Sequence, residues 1–141
     1  VPKYLLNNAK ITVNGVDLSR FGFSLDTPEA ADQIEVTGFN PSGTREYLPG
    51  IRTQSIVIGF LQGFGASEVH QTLQPLYSSG TVFAINVRGD ATNAPSATNP
   101  SFSGSAVLYT YDGLNGQLGA RGETVATFMS SGTVGFTWGT V

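Results

Sequence analysis

Apolar and polar positions alternate most clearly between Arg52 and Arg88, where the period changes twice. Arg52–Gln62 puts Ile56, Ile58 and Phe60 on one side of an extended chain and Val57 and Leu61 on the other. A strand with apolar material on both faces is predicted. Gly63 and Gly65 break the pattern, and a helix is predicted over residues 66–79, with Ser67 as N-cap and Glu68 in the first turn. Val69, Leu73 and Leu76 recur at i, i+4 and i+7, a narrow stripe that needs a sheet to lie on. Pro75 should tighten the last turn, and Gly80 should end the helix in a left-handed conformation. Thr81–Arg88 returns to period two, with Phe83, Ile85 and Val87 against Val82, Ala84 and Asn86.

Around this unit the chain alternates in short runs punctuated by glycine. Lys10–Leu18 reads as a hairpin, because Asn14-Gly15 is the pair a type I′ turn prefers. Phe21–Leu25 reads as a short strand, residues 26–31 with Pro28 as a turn, and Asp32–Thr37 as a strand with Ile34 and Val36 facing in. Residues 38–50 form a long loop with two prolines and three glycines, yet they contain Phe39, Tyr47 and Leu48. Such a loop either docks on another surface or folds its apolar residues back on its own core. Residues 1–8 read as an arm, and residues 89–100 as a surface loop with a mobile tip. Ser101–Asp112 is a long strand, followed by a glycine-rich turn over residues 113–122. Residues 123–129 and 133–138 close the domain, with Val125, Phe128, Val134, Phe136 and Trp138 as core. The sum is a mainly β domain over residues 1–141: a sandwich or partly open barrel of seven or eight strands, flanked by one helix.

Composition narrows the function classes. A chain of 141 residues can bury one sizeable core. Only 12% of residues are charged, about half the usual share, which suits a surface covered by other subunits or a neutral polar one. The net charge is −3 and the seven basic residues are all isolated, so no phosphate-gripping stripe exists and stable nucleic-acid binding is not expected. Cysteine is absent, which removes disulfides and thiolate metal sites. No apolar run approaches the ~18 residues of a membrane span and no signal-peptide pattern opens the chain, so membrane insertion and export are disfavoured.

Candidate chemistry is sparse. His70 is the single histidine, has no metal-ligand spacing around it, and reads as a helix-surface residue. Gly63-Phe64-Gly65 sits between strand and helix, but Glu68 stands where a dinucleotide fingerprint needs its third glycine and would repel an anion. No phosphate loop, nucleophile elbow or EF-hand loop is present, and the ten carboxylates form no patterned cluster. Neither an enzyme nor a cofactor or metal is expected.

The order of parts resembles the major tail (tail tube) proteins of long-tailed bacteriophages. Segments that carry the likeness are LLNNAKITVNGVDLS, EVTGFNPSGTREYLPGIRTQSIVIGFLQ, ASEVHQTLQPLYSSGTVFAINVR and SATNPSFSGSAVLYTYDGLNGQLGARGETVATFMSSG, and the resemblance as a whole covers about Leu5 to Trp138. The resemblance implies a structural protein of the virion tail, made in the host bacterial cytoplasm. Six copies would form a ring, and rings would stack into the tube through which DNA leaves without specific binding. Its partners would be further copies of itself and other tail proteins, such as the tape measure and the tail terminator. In the family, the arm and the long loop make ring-to-ring contacts. Val1, Lys3 and Tyr4 in the arm, and Phe39, Arg45, Glu46, Tyr47 and Leu48 in the loop, are therefore the interface candidates.

Two other classes compete. A capsid decoration (cement) or tail-completion protein would share the architecture but stay small when alone. A carbohydrate-binding module would use Tyr47, Tyr77, Tyr109 and Tyr111 as a stacking platform.

Overall fold

The computed structural model describes residues 5–132 and 134–140. Among them run the strands β1 (Lys10–Val13), β2 (Val16–Asp17), β3 (Gly22–Asp26), β4 (Glu29–Glu35) and β5 (Tyr47–Leu61). The helix α1 (Val69–Ser79) follows, and then β6 (Phe83–Arg88), β7 (Ser101–Thr110), β8 (Glu123–Ser130) and β9 (Thr137–Gly139). The mainly β architecture with one flanking helix is as expected. The described strands number nine, and all lie in one open antiparallel sheet of order β2-β1-β6-β7-β8-β5-β3. β4 pairs with the first half of β5, and β9 with the start of β7.

One face of this sheet is the core. Ile56, Ile58 and Phe60 of β5 stand opposite Phe128, Ala126 and Thr124 of β8, and all six are fully buried. Phe83, Ile85 and Val87 of β6 continue the layer, as do Phe102, Ala106 and Leu108 of β7 and Ile11 and Val13 of β1. The apolar stripe of α1, Val69, Leu73 and Leu76, packs into the same cluster. Each large apolar side chain taken fully out of water contributes about 1.5–3 kcal/mol. Phe83 and Phe128 meet edge to face, with centroids 5.8 Å apart. Among the described residues, the other face of the sheet has no α-helix on it. The middle of this face, across β6, β7 and β8, presents Ala84, Asn86, Ser103, Ser105, Val107, Val125, Thr127 and Met129, none of them charged, while Arg88 at the end of β6 and Glu123 at the start of β8 fall on the same side.

Several local expectations are met and several corrected. Asn14 (φ 51°) and Gly15 (φ 81°) make the anticipated hairpin turn, and Gly80 (φ 67°) donates its N–H to the Leu76 carbonyl at 3.1 Å to close α1. The helix starts at Val69, later than the sequence suggested. Ser67 takes a left-handed φ of 60° and makes no cap. Glu68 is the N-cap residue, and its carboxylate accepts the Gly65 N–H at 2.8 Å, securing the turn ahead of the helix. A Cβ on Gly63 would stand 2.8 Å from that carboxylate, so the glycine makes room for it. Val125 points away from the core because inward positions on a strand recur every second residue, and Thr124, Ala126 and Phe128 occupy them. Val134 is exposed, and Trp138 lies half in solvent over Phe102, so Phe136 alone of that trio is fully buried.

The sheet edge at β1 is closed by its own chain. The Leu18 N–H donates to the Ile11 carbonyl at 2.9 Å, and the Ser19 hydroxyl accepts the Ile11 N–H at 2.8 Å. Asp17 fixes this corner by accepting from Lys10 Nζ at 2.7 Å and from the Ser19 N–H at 2.9 Å. These bonds, Lys10 first, hold the Asp17 carboxyl well below the usual range, at about 2. The loop over residues 89–100, expected to be loose, is cross-linked. Asn99 donates to the Asp90, Asn93 and Ala94 carbonyls, and Asn8 Nδ2 donates to the Asp90 carboxylate and the Thr92 hydroxyl.

Leu73→Asp should unfold the domain, because an unpaired carboxylate on the covered face costs about 3–5 kcal/mol or more. Circular dichroism would report loss of the cooperative melt. Asp17 adds stability that is complete above its unfolded value and lost as pH falls through its folded one. Acid titration should therefore weaken the native protein between about pH 4 and pH 2, and Asp17→Asn should flatten that part of the curve.

Candidate assembly interface

β5 is the longest strand, and only its second half belongs to the core. Its fifteen residues extend for roughly 45 Å at the rise of an antiparallel strand. From Tyr47 to Gln54 its partner is β4, every residue of which is exposed. The two strands form an arm projecting from the sheet. Tyr47 and Leu48, read from the sequence as loop, are the first residues of β5, and the connection between strands covers residues 36–46.

The arm has one apolar side. Ile34 pairs with Leu48, and Val36 follows on the same side two residues along. Ile34 and Val36 were expected to face the core, yet they are 48% and 43% exposed, because β4 pairs only with the half of β5 that runs past the core. Leu48 is 56% exposed, so the reading in which it folds back on its own core does not hold. A Cβ at Gly50 would come within 2.8 Å of Ile34 Cδ1, so the glycine lets Ile34 lie flat across the strand pair. The other side carries Gln33, Glu35 and Tyr47, and Arg45 pairs loosely with Glu35 at 3.8 Å in solvent.

The tip is tightly built. Asn40 Oδ1 accepts the Gly43 N–H at 2.7 Å and the Ser42 hydroxyl at 2.8 Å, while Asn40 Nδ2 donates to the Thr44 carbonyl at 2.9 Å. The Glu46 N–H donates to Thr37 Oγ1 at 2.8 Å, and the Val36 N–H to the Glu46 carbonyl at 2.9 Å. This frame holds Phe39 wholly in solvent. Five of the interface candidates, Phe39, Arg45, Glu46, Tyr47 and Leu48, thus come together on one arm. Val1, Lys3 and Tyr4 lie outside the described residues.

The root of the arm is bolted to the body. Gln54 accepts the Phe136 N–H at 2.9 Å and donates to the Phe136 carbonyl at 2.9 Å and to Glu29 at 2.8 Å. The indole N–H of Trp138 donates to the other Glu29 oxygen at 3.3 Å.

Sequence reading missed Ile34, Val36 and Ile51 as exposed apolar residues. It also missed the opposite end of β5, where Phe64, Leu114 and Leu118 are exposed. His70 is half-buried there rather than on the helix surface: its Nδ1 lies 2.6 Å from the Tyr111 hydroxyl, and its ring packs against Phe64. Burial raises the Tyr111 pKa, and the Gln62 amide offsets part of that rise. The four tyrosines of a stacking platform are dispersed. Tyr77 is on α1, which packs on the core face; Tyr109 is on the opposite face; Tyr47 and Tyr111 sit at opposite ends of β5. Among the described residues no group of three His, Asp or Glu side chains could hold a metal ion, and no helix is long and apolar enough to cross a membrane.

No protein-family model matches the sequence, and no curated protein does. Solved structures do. The tail of an empty gene transfer agent particle, refined with C6 symmetry, is 18% identical and superposes with a TM-score of 0.70 over 92% of this chain and 94% of that one. The SPP1 tail tube is 11% identical, with a TM-score of 0.69 over 95% of this chain and 77% of that one. A sheath-tube complex of an extracellular contractile injection system is 12% identical, with a TM-score of 0.64 over 99% of this chain and 95% of that one. The chain has the tail-tube fold.

Gln54→Ala leaves the backbone of Phe136 without its partner and should cost about 1–3 kcal/mol. Hydrogen exchange should rise in β4 and around Phe136 while β6–β8 stay protected. Equal protection everywhere would mean that the arm is not held at this point.

Proposed function

We propose that this chain is a self-assembling subunit of a virion tail tube, with hexameric rings stacked into a channel for DNA. The observation that carries the reading is the arm. A strand that continues past its own core and exposes Ile34, Val36, Leu48 and Phe39 presents apolar surface that only another molecule can cover. The tail-tube fold supports it, and so does the sixfold symmetry of the gene transfer agent tail.

The two faces of the sheet then take different roles. With α1 on the core face, a ring closed through these sheets turns the free face to the channel. Asn86, Ser103, Ser105 and Thr127 offer neutral polar groups there. DNA binding strength depends on neutralised phosphates. Arg88, next to Asn86 on this face, donates to the Asp90 and Ala91 carbonyls, and Lys10 beside it pairs with Asp17. The wall therefore offers the polymer little cationic grip and lets it slide. On this reading the tape measure and the tail terminator are the partners at the tube's ends and interior. The protein acts in the virion after synthesis in the bacterial cytoplasm.

Negative-stain electron microscopy with light scattering, over a concentration series, tests the assignment. Stacked rings with a central hole are expected. A uniform small species at every concentration would move the assignment to a decoration protein. Replacing residues 38–45 by Asn-Gly, a two-residue turn joining Thr37 to Glu46, should leave the melting temperature unchanged and abolish long tubes. Tubes of normal length would remove the arm tip from the assembly.

A further inference from the structure

Stacking requires a receiver for the arm, and β5 ends in a candidate. Resting on the tube reading, we propose that Phe39 at the arm tip of one copy seats in a bay at the far pole of the next copy. The bay is formed where the chain leaves β5 and meets the glycine-rich turn. It is an open cleft of about 480 Å³ lined by Gln62, Phe64, Leu114, Asn115 and three glycines.

The bay is a built feature. The Gln62 N–H donates to the Gly122 carbonyl at 3.0 Å, and its side chain donates to the Gly113 carbonyl at 2.7 Å and to the Tyr111 hydroxyl at 3.1 Å. The Glu123 N–H donates to the Asn115 carbonyl at 3.0 Å. These bonds tie the glycine-rich turn to the end of β5 and the start of β8. No charged side chain lines the bay, so an aromatic ring can enter without stranding an ion. Leu114 is 88% exposed at the rim, ready to close over a guest.

The occupant follows from geometry. Tip and bay lie at opposite ends of one continuous strand, roughly 45 Å long, so they cannot meet within a chain. Both are fixed before contact, the tip by Asn40 and the bay by Gln62, so little ordering entropy is lost on docking. A contact between two unlike patches repeats without closing when its operator is a translation, which is what stacking needs. Arm-to-arm packing about a two-fold axis would stop at a pair.

Two variants separate these possibilities. Phe39→Asp spoils the tip. Gly122→Phe fills the bay, and a Cβ there meets Gln62 only at an ordinary 3.6 Å, so the fold accommodates it. Each should keep the wild-type melting curve and raise the concentration needed for tubes by more than about tenfold. Mixed in equal amounts, the variants should form particles of twice the mass that either forms alone, because one intact tip meets one intact bay. If Gly122→Phe polymerises like wild type while Phe39→Asp does not, the bay is not the receiver. Wild type that never polymerises would instead overturn the tube reading. The chain has no cysteine, so Phe39→Cys and Leu114→Cys can be placed on separate chains. Mild oxidation should link the two variants to each other, and failure to cross-link within preformed tubes would overturn the pairing.

Discussion

Over Val57–Phe60 the backbone of β5 is hydrogen-bonded on both flanks, by β8 on one and β3 on the other, while from Tyr47 to Gln54 β4 alone holds it. The same strand is thus a central core element at one end and part of a two-stranded ribbon at the other. An isolated two-stranded hairpin is marginal in water. The ribbon draws its persistence from being the continuation of a buried strand, and the Gln54 bonds to Phe136 mark where the support stops. Everything that projects from this molecule does so because its core has fixed the direction of β5.

That arrangement also explains how little charge the chain carries. The core face is closed by α1, and the free face shows neutral side chains across the middle of β6, β7 and β8, with Arg88 and Glu123 at the strand ends. The charged residues are displaced to margins: Lys10 and Asp17 at the β1 corner, Glu35 and Arg45 on the arm, Arg121 and Glu123 beside the glycine turn. Surfaces buried between molecules are depleted of charge at their centres and ringed by polar groups, and this distribution has that form.

Much of the framework was legible in the sequence because it depends on local rules. Ile56, Ile58 and Phe60 declare their strand by alternation, Asn14-Gly15 declares its turn, and Gly80 declares the helix end. The arm was half visible. Pro49 and Gly50 read as loop residues, yet β5 has a single neighbour there, an edge position where proline is tolerated. Alternation put Ile34 and Val36 on one side without saying whether that side meets the chain's own core or another molecule. Val125 and Phe128 could not both face inward at a spacing of three, a conflict that period two exposes at once. The role of Glu68 depends on the close approach of Gly63, and the bay depends on Gln62 reaching across to Gly113. Contacts between distant parts of a chain leave no periodic trace.

The unlike ends of β5 have a consequence for any assembly they organise. A polymer built head to tail from such a subunit carries projecting arms at one extremity and empty bays at the other. Its two ends are chemically different objects, so they need not grow at the same rate. A protein that starts the polymer must recognise one of them, and a protein that stops it must recognise the other.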